Sequence, residues 1–448
     1  MFTNAKPIDL ELLDKYNKEI ENDKEAKLLQ HALSRSSIKN AIYNQKAIHD
    51  LSADFSIQVK TLSATNQQSS GRCWIFAATN LLREIAAKNL NVEKFELSQN
   101  YISFYDKLEK INYALEACID FAPKEHDDRV VAQIVSYPVS DGGQWDMFKD
   151  LVKKYGVVPQ SVMTETYISN HTREHNYIVN NAIRKFAATA HKMYLEGKSE
   201  KEIRALKDKI LKELYRSLVI VFGSPVKEFD FEYTDKDNKY HIERNMTPKS
   251  FFDKFIGVDM DDYISIINSP TKDKPYYNMF TLDYIGNVIG GSDIHHLNLP
   301  MPRIKELVIE SLKNNEPVWF GSDCGEFSDS DTSRWAPELF DYELAFNLDL
   351  KMSKEDMLDY YSSAMNHAML ITAVNLKDDL PTKWKIENSW GESKPLNGYH
   401  VASDSWFDEY VFQVVINKKY LGEKELEALK KEAIHLNPWD PMGTLAEK

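Results

Sequence analysis

Apolar positions recur at helical spacing through the first half of the chain and gather into short, dense runs in the last third. Just after Gly71, Ile75, Ala78, Leu82 and Ile85 fall on one face, which predicts an amphipathic helix with Cys73 in its first turn. A second helix is expected over 145–154, ended by Gly156 and Pro159. From about 165 to 218 the chain is charged and helical in pattern, with Ile203, Leu206, Ile210 and Leu214 as one apolar stripe. Residues 1–54 read as polar helix with loops. The stretch to about 300 reads as acidic and turn-rich, and a helix is expected over 303–314 after Pro302. The runs 368–374, 384–387, 399–402 and 411–416 read as short strands bounded by turn residues. Helices early and strands late imply an α+β fold rather than a doubly wound α/β sheet. The last stretch, 435–448, carries Pro438, Pro441 and Gly443 and is expected to run extended.

Charge narrows the partners. The 448 residues hold 55 Lys and Arg against 69 Asp and Glu, a net charge of −14. Nucleic acid and anionic lipid both demand clustered cationic surface, so neither is expected as an obligate partner. No apolar run approaches the about 18 residues of a membrane span, and the first residues lack the apolar core of a secretory signal. Cys73, Cys118 and Cys324 are an odd number spread far apart, unlike a disulfide framework. A reduced, cytoplasmic setting with no membrane partner is the expectation.

The segment Gln67-Gln68-Ser69-Ser70-Gly71-Arg72-Cys73-Trp74 carries the first chemistry. A thiol at a helix start faces unpaired N–H groups and the positive end of the macrodipole, both of which favour thiolate, the nucleophilic form. Gln67 offers an amide that could donate toward an oxyanion beside the Cys73 backbone N–H. Taken alone, Cys73 reads equally as a small buried hydrophobe, as Cys118 and Cys324 do. A thiolate also needs an imidazole to pair with it and to protonate a leaving amine. His367 stands at the entry to a buried strand, and Asn388, in Asn388-Ser389-Trp390-Gly391, sits at the end of the next. The Asn388 amide could accept from the far imidazole nitrogen, with Trp390 shielding that bond from water. Individually, His367 reads as a core histidine and Asn388 as a turn residue.

Jointly these segments resemble the papain-like cysteine peptidases. The resemblance implies a two-lobed core with a helical lobe carrying the cysteine and a β-barrel-like lobe carrying histidine and asparagine. It implies Cys73 as nucleophile, His367 as base, Asn388 as its orienter and Gln67 as oxyanion donor. Asp141-Gly142-Gly143-Gln144-Trp145 is similar to that family's double-glycine wall, where Gly142 and Gly143 line the substrate and the Gly143 backbone pairs with the substrate main chain. Tyr155-Gly156-Val157-Val158-Pro159 and Asn397-Gly398-Tyr399 also fit. The gap from Cys73 to His367 is about twice the ~130–150 residues usual there, which requires a large insertion. The expected divisions are therefore 1–54 as an N-terminal segment, 55–164 as the nucleophile lobe, 165–255 as a helical insertion, 256–435 as the β lobe and 436–448 as a C-terminal arm.

Arg72 before the nucleophile and the Asn437-Pro438-Trp439-Asp440-Pro441-Met442-Gly443 tail narrow the resemblance to the aminopeptidase C/bleomycin hydrolase branch. That branch implies a homohexameric barrel with internal active sites and no cofactor or metal. It also implies a C-terminal arm lying in its own cleft, so that the Lys448 carboxylate would hold the α-ammonium of a peptide substrate. Self-trimming in some relatives makes Glu447 or Ala446 alternative working ends. The expected reaction is release of N-terminal amino acids with broad specificity through a thioester. An endopeptidase of the same branch is the near alternative. A more distant one is a zinc peptidase, because His171-Thr172-Arg173-Glu174-His175 satisfies H-x-x-E-H, which on a helix would place both histidines on one face beside Glu174. A solvated first helical turn after Asn170 explains the same run. His295-His296 reads as a turn and 323–331 as acidic surface.

Overall fold

A computed structural model describes Phe2 and residues 4–446 of the chain. The helix Cys73–Leu90 begins at Arg72, whose side chain makes no capping bond, and ends at Asn91 in the left-handed conformation. It is buried on most of its circumference, Phe76, Asn80 and Arg83 included, so the expected amphipathic stripe is corrected to a nearly all-round buried helix. The reason is its position: it packs on helices Gln99–Asp120 and Trp145–Tyr155 on one side and on strand His367–Lys377 on the other.

The helical body is centred on Gln99–Asp120, started by the Ser98 hydroxyl accepting from Tyr101 N–H at 3.0 Å. Helices Arg173–Leu195 and Glu200–Phe222 lie against it. The second opens with a reciprocal Ser199–Glu202 capping box, which accounts for the break in the long helical pattern. Helices Trp145–Tyr155 and Met301–Lys313 fall within a few residues of expectation.

Among the described residues, twelve strands form one mixed sheet. At its centre Val411–Asn417 pairs with Val318–Ser322, which pairs with His367–Lys377, then Leu380–Glu387 and Tyr399–Ser403, all antiparallel. The reading of the chain to about 300 as turns is corrected. Phe229–Thr234 and Tyr240–Met246 form a hairpin, Pro248–Phe255 is helical, and Tyr263–Ile267, Met279–Leu282 and His295–Asn298 join the sheet. His295 and His296 thus lie in a strand, with His296 fully buried and its Nδ1 2.8 Å from Ser265 Oγ. After Leu436 the expected extended run is corrected: the chain turns at 437–440, where Asp440 N–H donates to Asn437 O at 3.0 Å, and again at Pro441–Gly443 before it extends to Ala446.

Candidate active site

Two short segments join the lobes. Gln67 N–H donates to Ser389 O and Gly391 N–H to Thr65 O, each at 2.9 Å, so the chain before the nucleophile pairs directly with the segment after Asn388. Across this seam the Ser389 hydroxyl donates to Gln67 Oε1 at 2.6 Å, while Gln67 Nε2 donates to Ser70 O at 2.6 Å. The Gln67 amide is therefore fixed at both ends, four residues before Gly71, where the chain turns into the helix.

His367 opens its strand opposite Ser322. Its Nε2 lies 2.8 Å from Asn388 Oδ1, which assigns the proton to Nε2 and leaves Nδ1 as the other exchangeable nitrogen. The next residue, Ala368, points its N–H at Cys73 Sγ from 3.5 Å, so the strand start abuts the thiol. Trp390 lies over the imidazole with ring centroids 5.3 Å apart. Cys73, His367, Asn388 and Gln67 are all buried. The sequence pattern had no signal for the next layer. Asn388 Nδ2 lies 3.5 Å from His400 Nε2, and burial pushes His400 down to about 3, so it stays neutral and can accept from the amide.

The other wall of the cleft is held by buried charge. Lys110 Nζ donates to Gly142 O at 2.5 Å and sits over the Trp74 ring. Gly143 is required by Trp74, since a Cβ there would come within 2.5 Å of the indole. Asp141 accepts from Gly71 N–H at 3.1 Å, from Thr172 Oγ1 and from Asn176 Nδ2, and pairs with Lys107 at 2.5 Å. Burial alone would raise its pKa, but Lys107 and these hydrogen bonds hold the carboxyl well below its ordinary range. Arg72 is likewise buried and ion-paired, to Glu165 at 3.0 Å. The stretch read as acidic surface is corrected at its start: Asp323 and Cys324 are buried, and Asp323 accepts from Asn366 Nδ2 and Ser363 Oγ next to His367.

The segment 444–446 reaches this wall. Ala446 pairs antiparallel with Gly143, and Gln144 Nε2 donates to Thr444 O at 2.6 Å. Lys448 and Glu447 lie outside the described residues.

The zinc arrangement does not form among the described residues. Helix Arg173–Leu195 starts after His171, which instead stacks on Tyr167, and Glu174 faces outward. His175 is buried, bonded to Ser217 Oγ at 2.9 Å, and pushed down to about 4 by that burial.

A cysteine at a helix N-terminus, set against a His–Asn pair between a helical body and a sheet, defines a papain-like thiol hydrolase. The model of the Peptidase C1-like family matches residues 7–443, and the chain belongs to that family. It is 43% identical over 445 residues to aminopeptidase C of Lactobacillus delbrueckii subsp. lactis, covering 99% of each chain. Human (Homo sapiens) bleomycin hydrolase is 40% identical over 391 residues, 86% of each chain. The crystal structure of PepW from Lactobacillus rhamnosis HN001 superposes with a TM-score of 0.96 at 44% identity, covering 98% of this chain and 99% of that one. No helix among the described residues is long and apolar enough to cross a membrane.

Proposed function

We propose that the protein is a cysteine-type aminopeptidase in which Cys73 is the nucleophile, His367 the acid–base and Asn388 its orienter. The Cys73 thiolate attacks the first peptide carbonyl, while Gln67 and the Cys73 N–H hold the oxyanion. His367 passes its proton to the leaving amine as the C–N bond breaks, leaving a thioester. His367 then takes a proton from water, which attacks the thioester and releases the free amino acid. The observation that carries the exopeptidase reading is the pairing of Ala446 with Gly143 and of Thr444 with Gln144. That edge is where residues upstream of the scissile bond would have to lie, so the arm leaves room for a free N-terminus only. The carboxylate of Lys448, or of a trimmed end, would hold the substrate α-ammonium, with Gly142, Gly143 and Trp390 lining the peptide. A homohexamer in the cytoplasm fits this reading through the likeness to the aminopeptidase C and bleomycin hydrolase branch.

The test is product mass spectrometry on one peptide with a free and an acetylated N-terminus. Stepwise loss of single residues from the free form alone is expected, and Cys73→Ala should abolish it. Internal cuts in both forms would make the protein an endopeptidase, and turnover surviving Cys73→Ala would remove the nucleophile assignment.

A further inference from the structure

Beside the nucleophile loop lies a cavity of about 570 Å³ that no described residue of the arm lines. One wall is the Gln67–Gly71 loop with Trp390; the other is a face of helix Arg173–Leu195. Arg173, Asn176, Asn180 and Arg184 recur there at three- and four-residue steps, so a single helical stripe faces the cavity. Asp141 is the one carboxylate in the lining, and Lys107 already pairs with it. Arg173 has no ion-pair or hydrogen-bond partner among the described residues. Arg184 donates to the carbonyls of Val135 at 2.9 Å and Ser136 at 2.6 Å, and no carboxylate among the described residues meets it. In a chain of net charge −14, two guanidinium groups without counter-ions in one cavity are a local reversal of sign.

The cavity's position says which part of a substrate enters it. The Trp390 ring lies tilted beside that of His367, the group that hands its proton to the leaving amine, whereas the arm occupies the Gly143 edge. The cavity therefore continues the cleft on the leaving-group side. A guanidinium presents paired N–H donors that match a carboxylate, and its charge is weakly hydrated. We infer that this cavity is the leaving-group subsite and that Arg173, exposed at its wall, recognises a substrate carboxylate there, while Arg184, whose guanidinium is held by Val135 O, Ser136 O and Asn181 Oδ1, adds positive charge about three helical turns away, a reading that rests on the peptidase activity proposed above. Two sources share that chemistry: the free C-terminus of a short peptide and an acidic side chain after the scissile bond.

The experiment compares kcat/KM for di- to pentapeptides with one common N-terminal residue, each as free acid and as C-terminal amide. Amides carrying Glu after the scissile bond form a third arm. The full-length enzyme is expected to favour a carboxylate-bearing form at one length by about 10- to 100-fold, as for hydrogen bonds to a charged group. Preference for the free acid assigns the C-terminus; preference for the Glu amide assigns the side chain. Arg173→Ala and Arg184→Ala should each move that ratio toward one, and a ratio cancels any general loss of activity. Equal rates for acid, amide and Glu amide at every length, or a ratio unmoved by both variants, would overturn the inference. An aminoacyl anilide, which has no carboxylate, keeps the two readings apart: cleavage of the anilide with no carboxylate preference rejects the subsite alone. No cleavage of anilide or peptides rejects the aminopeptidase reading as well.

Discussion

Gln67 is held by Ser70 O on its nitrogen and by the Ser389 hydroxyl on its oxygen, an arrangement that sets the amide before substrate arrives. Its Nε2 donates to Ser70 O, and this same amide is the group assigned to the oxyanion. A donor that needs no reorganisation is worth most when charge develops in a buried site. Gln67→Ala should lower kcat by about 10²–10³-fold with KM little changed, measured on a free-N-terminal peptide. Ser389→Ala removes only the bond that orients the amide and should cost far less. Equal losses would mean that Gln67 acts as a strut of the seam and not as a donor. At this scale the candidate residues were legible, because Cys73, His367 and Asn388 each sit in a distinctive local run. The groups that hold them were not. Lys107 with Asp141, and Asp323 with Asn366, are pairs between distant segments, and nothing in the chain around either partner specifies the other.

Strands and helices show the same division. The runs 368–374 and 411–416 are mostly apolar and almost wholly buried, and they emerge as strands close to where the pattern places them; the alternating run 384–387 is the end of a strand that begins at Leu380. Phe229–Thr234 did carry a strand signal, since Asp230 and Glu232 alternate with Phe229, Phe231 and Tyr233 at a period of two; the reading of turns followed the acidic composition of the whole stretch instead. The nucleophile helix and the strand ending before Asn388 are joined by one buried carboxylate. Glu387 Oε1 accepts from Arg83 at 2.8 Å and from Asn80 at 3.1 Å, both on the helix that starts at Cys73. Burial pushes Glu387 up to about 7 despite Arg83 beside it. The folded state therefore holds a proton that the unfolded chain, near 4.5, has released, and stability from this site falls as pH rises between those values. Glu387→Gln keeps the shape and an acceptor oxygen but cannot ionise. Chemical denaturation across pH 4.5–7 should show wild type losing ground to Glu387→Gln by up to ~1.4 kcal/mol per pH unit. A difference that stays flat would mean that the carboxylate is ionised throughout as a closed ion pair with Arg83.

At the scale of the whole molecule the decisive feature is that the last residues return to the first lobe. The prolines foretold an extended end, which holds only past the turns at 437–443, and the destination followed only from the family likeness, because its anchors come from everywhere in the chain. Trp439 stacks under Arg129 at 3.8 Å, Asp440 pairs with the buried Lys274 at 2.9 Å, Met442 is buried, and Gly443 passes so close to Leu282 that a Cβ would come within 2.5 Å. These contacts lie upstream of the Ala446–Gly143 pairing, so they can be weakened without touching the cleft. Asp440→Ala leaves Lys274 buried with only the exposed Asp273 beside it. Each 1.4 kcal/mol or so lost from the anchor raises the open-cleft population about tenfold. Gly443→Val forces the backbone away from Leu282 and should release the arm more completely. In both variants internal cleavage of an acetylated peptide should rise by about tenfold or more, in that order, while Cys73 chemistry on the free peptide persists. The two substrates read different things, since the acetylated peptide needs the arm gone and the free one does not. If Gly443→Val leaves the acetylated peptide intact while still cutting the free one, the arm is not what excludes upstream residues, and the restriction must come from the cleft walls themselves.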